Sequence, residues 1–214
     1  MKQATHKIID SLPPMFSHIH LNVLLGKDVK KTHVYLSRWT RAGWIIPMGG
    51  KTGIYFKDEN AKSQMFELAI TKVFPEAVLI GPTVMSNNNL TSQFSYNCNI
   101  AVRPRRSYPN IPEVNIFPRS KGWYTLIRNR GYVDLYNNAC STLKPEVALA
   151  DMLKYQDSWA TLAPDDLELD EMDKNLFFRA CKDLNADTAI IGPYIAGMET
   201  EDEQGQEKTF GPRM

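Results

Sequence analysis

The sequence has little of what builds disulfide frameworks, metal sites or membrane spans. Its three cysteines are an odd number and lie far apart, so neither a disulfide framework nor a zinc site is predicted. The longest apolar runs, such as residues 77–80 and 188–191, are too short to span a bilayer. The N-terminus lacks the apolar stretch of a signal peptide. We therefore expect a cytoplasmic protein that binds no membrane, no metal and no cofactor.

Histidine is missing from most of the chain. All four histidines precede residue 34, so a Ser/His/Asp or Cys/His catalytic set is not available to the rest of the protein. His18 and His20 are two positions apart and would not face each other on a helix, which makes them a poor metal pair. Without histidine, acid–base chemistry would fall to carboxylates such as Glu146 and Asp151. Structural roles are the competing interpretation of both, and no enzymatic activity is predicted.

The chain as a whole carries almost no net charge, but its segments are charged. The 25 Lys and Arg and the 24 Asp and Glu leave a formal charge of +1. Residues 1–60 carry an excess of five positive charges and residues 101–130 an excess of six, whereas residues 131–214 carry an excess of ten negative charges. Such an asymmetry indicates a polyanionic partner for the basic part.

Residues 1–58 are predicted to form three helices and a hairpin. Prolines at positions 13 and 14 end the first helix, Ser17 can cap the second, and a turn at 26–28 leads into the third. The expected helices span 2–11, 17–25 and 29–42, and the expected strands, 44–48 and 53–56, flank a glycine turn. This order is that of a winged helix-turn-helix, in which the helix after the turn enters the major groove of DNA and the wing lies along the phosphate backbone.

Apolar and polar residues alternate around these helices with helical spacing. The expected core positions are Ile19, Val23, Leu24, Val29, Leu36 and Trp39, with Gly43 at the end of the third helix. The opposite face of that helix is basic and polar. The predicted DNA-binding residues are Lys30, Lys31, Thr32, His33, Tyr35, Ser37, Arg38 and Arg41 on the helix, with Lys51 and Thr52 on the wing. A solvated basic face, or a surface for an acidic protein, is the alternative.

The wing sequence also contains a Gly-Lys-Thr that is typical of a phosphate-binding loop. That loop requires a glycine where this chain has Ile45, and it must open a helix, whereas the residues after Thr52 predict a strand. Nucleotide hydrolysis at this site is therefore not expected.

Residues 59–198 are predicted to form a mixed α+β domain, and residues 199–214 a flexible tail. The expected helices lie at 61–74, 83–89 and 142–154, with a last helix that ends at 185; the expected strands lie at 77–80, 96–102, 114–117, 123–127 and 132–134. The loops are basic, and they form a possible second surface for nucleic acid or an acidic partner, with ordinary polar loops as the alternative. The residues of this second basic surface are Arg103, Arg105, Arg106, Arg119, Lys121, Arg128 and Arg130.

Three stretches, in this order, resemble the AbiEi family of antitoxins from abortive-infection toxin–antitoxin systems. The first is Val29–Phe56, above all Leu36-Ser37-Arg38-Trp39-Thr40-Arg41-Ala42-Gly43-Trp44-Ile45 followed by Gly53-Ile54-Tyr55. The second runs from Gly81-Pro82-Thr83 to Leu90-Thr91-Ser92-Gln93, where Asn89 replaces a family glycine. The third is Leu143-Lys144-Pro145-Glu146-Val147-Ala148-Leu149-Ala150-Asp151. The resemblance extends from residue 2 to about residue 185.

The resemblance implies a winged helix-turn-helix transcriptional regulator that binds operator DNA and represses its own operon. It also implies a C-terminal domain needed for antitoxin activity against a nucleotidyltransferase-like toxin. The helix at 29–42, with Lys51 and Thr52, matches the family's DNA-reading region. The family offers no compact motif from which antitoxin residues follow. The alternatives are a protein-interaction module without sequence-specific DNA binding and a nuclease-like enzyme that uses Glu146 and Asp151.

Overall fold

The computed structural model describes residues 2–93, 97–136, 140–157, 166–189 and 191–192, with side chains from residue 7 onward. The protein is a mixed α+β chain that divides into two compact units. Of the described residues, the N-terminal unit contains those up to 77 together with 105–114, 136 and 140, and the C-terminal unit contains 78–104, 115–135 and those from 141 on. The tail expected at 199–214 lies outside the described residues. Among the described ranges, no helix is both long and apolar enough to cross a bilayer.

The N-terminal unit combines four helices with a small antiparallel sheet whose strand order is β1-β3-β2. The three helices and the hairpin expected from the sequence are confirmed. A further strand, β1, precedes the second helix; three residues are too few to give a sequence pattern. In chain order the elements are α1 (Lys2–Ser11), β1 (Met15–Ser17), α2 (His18–Leu24), α3 (Val29–Arg41), β2 (Ile46–Pro47), β3 (Ile54–Phe56) and α4 (Glu59–Val73).

The ends of α2 and α3 follow from local chemistry. Gly26, at φ +72°, turns the chain after α2, and the Asp28 carboxylate then accepts a backbone N–H from the first turn of α3. Gly43, at φ +70°, ends α3, and the N–H of Trp44 donates to the carbonyl of Trp39 at 2.9 Å. These bonds satisfy groups that a helix end leaves unpaired, so the turn and the position of α3 are set by the local sequence.

One buried cluster holds this unit together, and its membership differs in part from the expected one. The cluster consists of Ile9, Leu12, Phe16, Leu21, Leu36, Trp39 and Ile45. Leu36 and Trp39 are thereby confirmed as core positions. The expected stripe on α2 is wrong, because Ile19, Val23 and Leu24 are 60%, 61% and 51% exposed, and Val29 is 56% exposed. A seven-residue helix has fewer than two turns, too few for periodicity to single out its buried face.

The N-terminal unit extends past residue 58, where the sequence placed a domain boundary. The Asp58 carboxylate accepts the N–H of Ala61 at 2.7 Å and so starts α4. Ala61, Ala69 and Ile70 are buried, and α4 packs against β1 and β3. Because α4 covers this sheet, it belongs to the first unit.

The C-terminal unit is built on a five-stranded sheet with helices packed on it. The strand order is β6-β5-β4-β8-β7, with β4 antiparallel to β5 and parallel to β8. Helix α7 is buried along most of its length and packs against both α5 and α8. The elements are β4 (Val78–Leu79), α5 (Gly81–Asn87), β5 (Cys98–Val102), β6 (Val114–Pro118), α6 (Lys121–Asn129), β7 (Val133–Tyr136), β8 (Cys140–Leu143), α7 (Pro145–Tyr155) and α8 (Lys174–Leu184).

The strand expected at 123–127 is wrong, because these residues lie in α6. Trp, Tyr, Thr and Ile favour strands, which explains the prediction. The Ser120 hydroxyl, however, accepts the N–H of Trp123 at 3.2 Å and starts a helix. Trp123, Tyr124 and Ile127 are buried at helical spacing, so capping and tertiary packing override the local preference.

Smaller differences concern the neighbouring strands. Strand β8 was not expected, and β5 is buried at four successive residues from Asn99 to Val102 instead of alternating. Residue 96, the expected start of β5, lies outside the described residues. The start expected at 142 is wrong, because residues 140–143 form β8 and α7 begins at Pro145, which lies in its first turn. The helix expected to end at 185 is confirmed as α8.

The burial of α2 gives a test of stability. Replacing Leu21, which is fully buried, by Ala should lower the free energy of unfolding by about 2–5 kcal/mol. Replacing the exposed Val23 by Ala should change it by no more than about 0.5 kcal/mol. Urea titrations followed by circular dichroism measure both. An equal loss for the two variants would contradict the orientation of α2.

Candidate nucleic-acid interface

Helix α3 presents a mainly polar face to solvent, interrupted by Val34, which is 46% exposed. Leu36 and Trp39 are buried on the opposite side, and this burial sets the rotation of the helix. The exposed positions lie within about half a turn around the helix axis. The predicted DNA-binding residues that are exposed on this face are Lys30, Lys31, His33, Ser37, Arg38 and Arg41. The helix carries no Asp or Glu, so no carboxylate on α3 opposes their charge.

Two predicted contact residues on α3 are not freely available. Thr32 is 2% exposed, and its hydroxyl lies 2.8 Å from the carbonyl oxygen of Asp28 and 3.2 Å from Oδ1 of Asn22. The inclusion of Thr32 in the DNA-facing set is therefore wrong, because this hydroxyl ties α3 to α2. Tyr35 is half-buried against the core, with its ring centroid 5.2 Å from that of Trp39.

The turn between β2 and β3 presents Lys51 at its exposed tip. Lys51 itself has φ +57°, and glycines on both sides of it also have positive φ. A Cβ on Gly50 would lie 3.0 Å from the carbonyl oxygen of Asn110, so only glycine fits there without displacing backbone. The Thr52 hydroxyl donates to the carbonyl of Gly49 at 2.9 Å, and Thr52 is half-buried. Thr52 thus shapes the turn, while Lys51 extends from it.

A concavity of about 400 Å³ lies between α3 and the hairpin formed by β2 and β3. His33, Ser37 and Arg41, three of the predicted DNA-binding residues, line it from the helix side. Leu36 and Thr40 of α3 also line it, and Pro47 and Tyr55 complete it from the hairpin. The sequence does not mark Pro47 and Tyr55 as lining residues, because only the pairing of β2 with β3 brings them together beside the helix.

The possible second basic surface is divided between the two units. Arg105 and Arg106 belong to the N-terminal unit, where Arg105 forms an ion pair with Glu76 at 2.6 Å. In the C-terminal unit, the guanidiniums of Arg103 and Arg128 lie 5.5 and 6.0 Å from the ring centroid of Tyr124. Lys121 is also exposed there.

Arg130 is held by a carboxylate of α8. Its Nε lies 2.9 Å from Oδ2 of Asp183, and the hydroxyl of Tyr132 donates to the same carboxylate at 2.7 Å. Burial and this hydrogen bond raise the pKa of Tyr132 to about 12, so the phenol remains a donor at neutral pH. Arg130 therefore pairs with Asp183 within its own unit, although its side chain remains partly exposed.

Arg119 does not belong to an exposed surface, and its inclusion in the second basic surface is wrong. It is 1% exposed. Its guanidinium donates to Asp151 at 2.8 and 3.3 Å and to Asp157 at 2.7 and 3.0 Å, and it stacks 3.7 Å from the ring centroid of Tyr155. Burial disfavours the guanidinium charge, but the hydrogen bonds to Asp157 and Asp151 outweigh it and raise the pKa of Arg119.

The two carboxylates of the nuclease alternative are also engaged in packing. Asp151 is fully buried between Arg119 and the indole N–H of Trp123, which donates to it at 2.7 Å. Glu146 accepts the backbone N–H of Asp173 at 3.1 Å. Nowhere in the described part of the chain do three His, Cys, Asp or Glu residues meet as a metal-binding group.

The buried pair predicts a large effect of a nearly isosteric change. Asp151→Asn should lower the free energy of unfolding by about 3 kcal/mol, because it leaves the buried Arg119 charge less well compensated. Asp134→Asn, at an exposed position in β7, is the matched control and should change little. Thermal and urea denaturation measure both. If the double variant Arg119→Met/Asp151→Leu were no more stable than Asp151→Asn, an uncompensated charge would not be the cause.

Comparisons with known proteins identify a structure with a similar fold but do not indicate a function. No family model matches the chain, and no curated protein matches it. Among solved structures, the chain is similar to the crystal structure of the Rv2827c protein from Mycobacterium tuberculosis, with a TM-score of 0.59. The alignment covers 100% of this chain and 82% of that chain at 15% sequence identity. At this identity the similarity shows a shared α+β fold.

Proposed function

We propose that the N-terminal unit is a winged helix-turn-helix that binds double-stranded DNA through α3 and the β2–β3 turn. The observation that carries the proposal is the exposed face of α3, on which four cations lie on one side of a helix that has no acidic residue. The order α1, β1, α2, turn, α3, β2, β3 supports it, because this order places a helix beside a hairpin tip. Lys51 adds a fifth cation at that tip.

The side chains divide by chemistry into two roles. Lys and Arg neutralise phosphates and position the protein, whereas shorter polar groups reach base edges. Lys30, Lys31, Arg38, Arg41 and Lys51 would contact the backbone. His33 and Ser37 line the concavity beside the hairpin, and they are our candidates for contact with base edges.

Salt dependence tests the proposal. Binding to the DNA upstream of the protein's own gene should weaken linearly on a log–log plot against salt, with a slope of about −4.5 if five cations contact phosphates. Arg38→Ala/Arg41→Ala should reduce this slope by about 2 and weaken binding at all salt concentrations. Fluorescence anisotropy of a labelled duplex measures both quantities.

A double variant on α8 provides the control. Arg179→Ala/Lys182→Ala removes two exposed cations with the same spacing along a helix, and it should leave the slope unchanged. A flat salt response, or equal effects of the two double variants, would contradict the interface. Binding of an acidic protein by this face, with no preference for any DNA sequence, would instead favour the protein-interaction module.

We further propose that the chain is a cytoplasmic antitoxin that represses its own operon and neutralises a nucleotidyltransferase-like toxin. The support is the resemblance of three ordered stretches to the AbiEi family. The second stretch forms α5 and the third forms most of α7, and these two helices pack against each other. Segments distant in sequence thus contribute to one packed region of the C-terminal unit, as expected for stretches that specify a common domain.

Co-expression tests the antitoxin role. The product of the neighbouring gene should arrest growth, and the full chain should relieve the arrest. Arg38→Ala/Arg41→Ala should still relieve it but should lose repression of a reporter placed behind the operator. A neighbouring product that is harmless alone would argue against the antitoxin role while leaving the DNA-binding proposal intact.

A further inference from the structure

A second concavity in the N-terminal unit has the size of a small-molecule site. Its volume is about 520 Å³, within the range of about 300–1,000 Å³ typical of ligand pockets. Its floor and walls are apolar and come from β1, α2, β3 and α4. The apolar side chains are Met15, Phe16, Ile19, Ile54 and Val73.

The polar groups of this pocket are one ammonium group, two imidazoles and two hydroxyls. Lys72 and the imidazoles of His18 and His20 line it, together with the hydroxyl-bearing Ser17 and Thr52. The described residues that line it include no Asp or Glu. The polar part of the pocket therefore complements negative charge.

His20 has a defined orientation at this pocket. The backbone N–H of Ser17 donates to its Nδ1 at 3.0 Å. Because Nδ1 acts as an acceptor, Nε2 carries the proton and is a hydrogen-bond donor. The pocket thus combines an oriented donor with the mobile ammonium group of Lys72.

We propose that this pocket binds an amphipathic organic anion, a small carboxylate with an aromatic or aliphatic body. The body would pack on the apolar floor, and the carboxylate would lie between Lys72 and the histidines. A purely inorganic anion leaves the floor uncovered, and a neutral ligand leaves the cation without a counter-charge. This site goes beyond the proposed function and does not depend on DNA binding.

The pocket adjoins the wing. The N–H of His18 donates to the carbonyl of Gly53 at 2.9 Å, and a Cβ on Gly53 would lie 2.6 Å from Nδ1 of His18. His18 therefore packs directly on the backbone that returns from the wing tip at Lys51. A ligand that contacts His18 and Thr52 touches the segment that positions the wing, so its binding is visible in the amide resonances of 52–54.

Titration of the full chain with phenylacetate and with hexanoate tests the site. We expect saturable ¹H–¹⁵N chemical-shift changes confined to residues 15–20, 52–54 and 72–73. The uncharged analogues, phenylacetamide and hexanamide, should bind about tenfold more weakly, because they lose a charge-assisted hydrogen bond. Inorganic phosphate should produce no saturable change at these residues.

Two variants and a control complete the test. Lys72→Gln should weaken phenylacetate binding about tenfold. Ile19→Glu, at a position that is already 60% exposed, should abolish binding without unfolding the protein. Lys7→Gln, on the exposed side of α1, is the control and should bind phenylacetate as the wild type does. Equal affinities for acid and amide, unchanged binding by Lys72→Gln, or no saturation by either acid at millimolar concentration would overturn the proposal.

Discussion

The burial of Leu36 and Trp39, on one side of α3, is the constraint on which the N-terminal unit depends. These two side chains enter the same cluster as Leu21 of α2 and Ile45 of the chain leading to the hairpin. Because they occupy one side of α3, the basic residues can only lie on the other. The burial of these two side chains therefore sets both the orientation of α3 and the position of its candidate DNA-binding face.

In the C-terminal unit, an ion cluster takes a comparable central position. Arg119 follows β6, Asp151 lies in α7 and Asp157 follows α7, so their ion pairs connect these segments. The indole N–H of Trp123 donates to Asp151 and so connects α6 to the same cluster. Such a cluster is costly to desolvate and loses much of its stabilisation when one partner is removed. It also means that Arg119, although it lies in the basic segment 101–130, is buried and adds no positive charge to the protein surface.

The two basic segments of the sequence therefore differ in kind. In residues 1–60, the cations of α3 and Lys51 are exposed, and they support a phosphate-contacting role. In residues 101–130, Arg105, Arg119 and Arg130 each form an ion pair within their own unit. Part of that positive excess is thus used to neutralise the protein's own carboxylates, including Asp183 of the acidic region. Lys121 and Arg128 are exposed members of the predicted second basic surface.

The sequence by itself determined the local elements whose signals are local. Caps and turns at Ser17, Asp28, Gly43 and Pro145 set the ends of helices, because a backbone N–H or carbonyl is satisfied within a few residues. Apolar periodicity identified Leu36 and Trp39 on the core side of α3. Only the tertiary structure decided the burial of α2, the burial of Trp123 and Tyr124 in α6 and the pairing of Arg119 with Asp151. Each of these depends on which distant segment covers a residue, and the free energy of that burial exceeds the local preference.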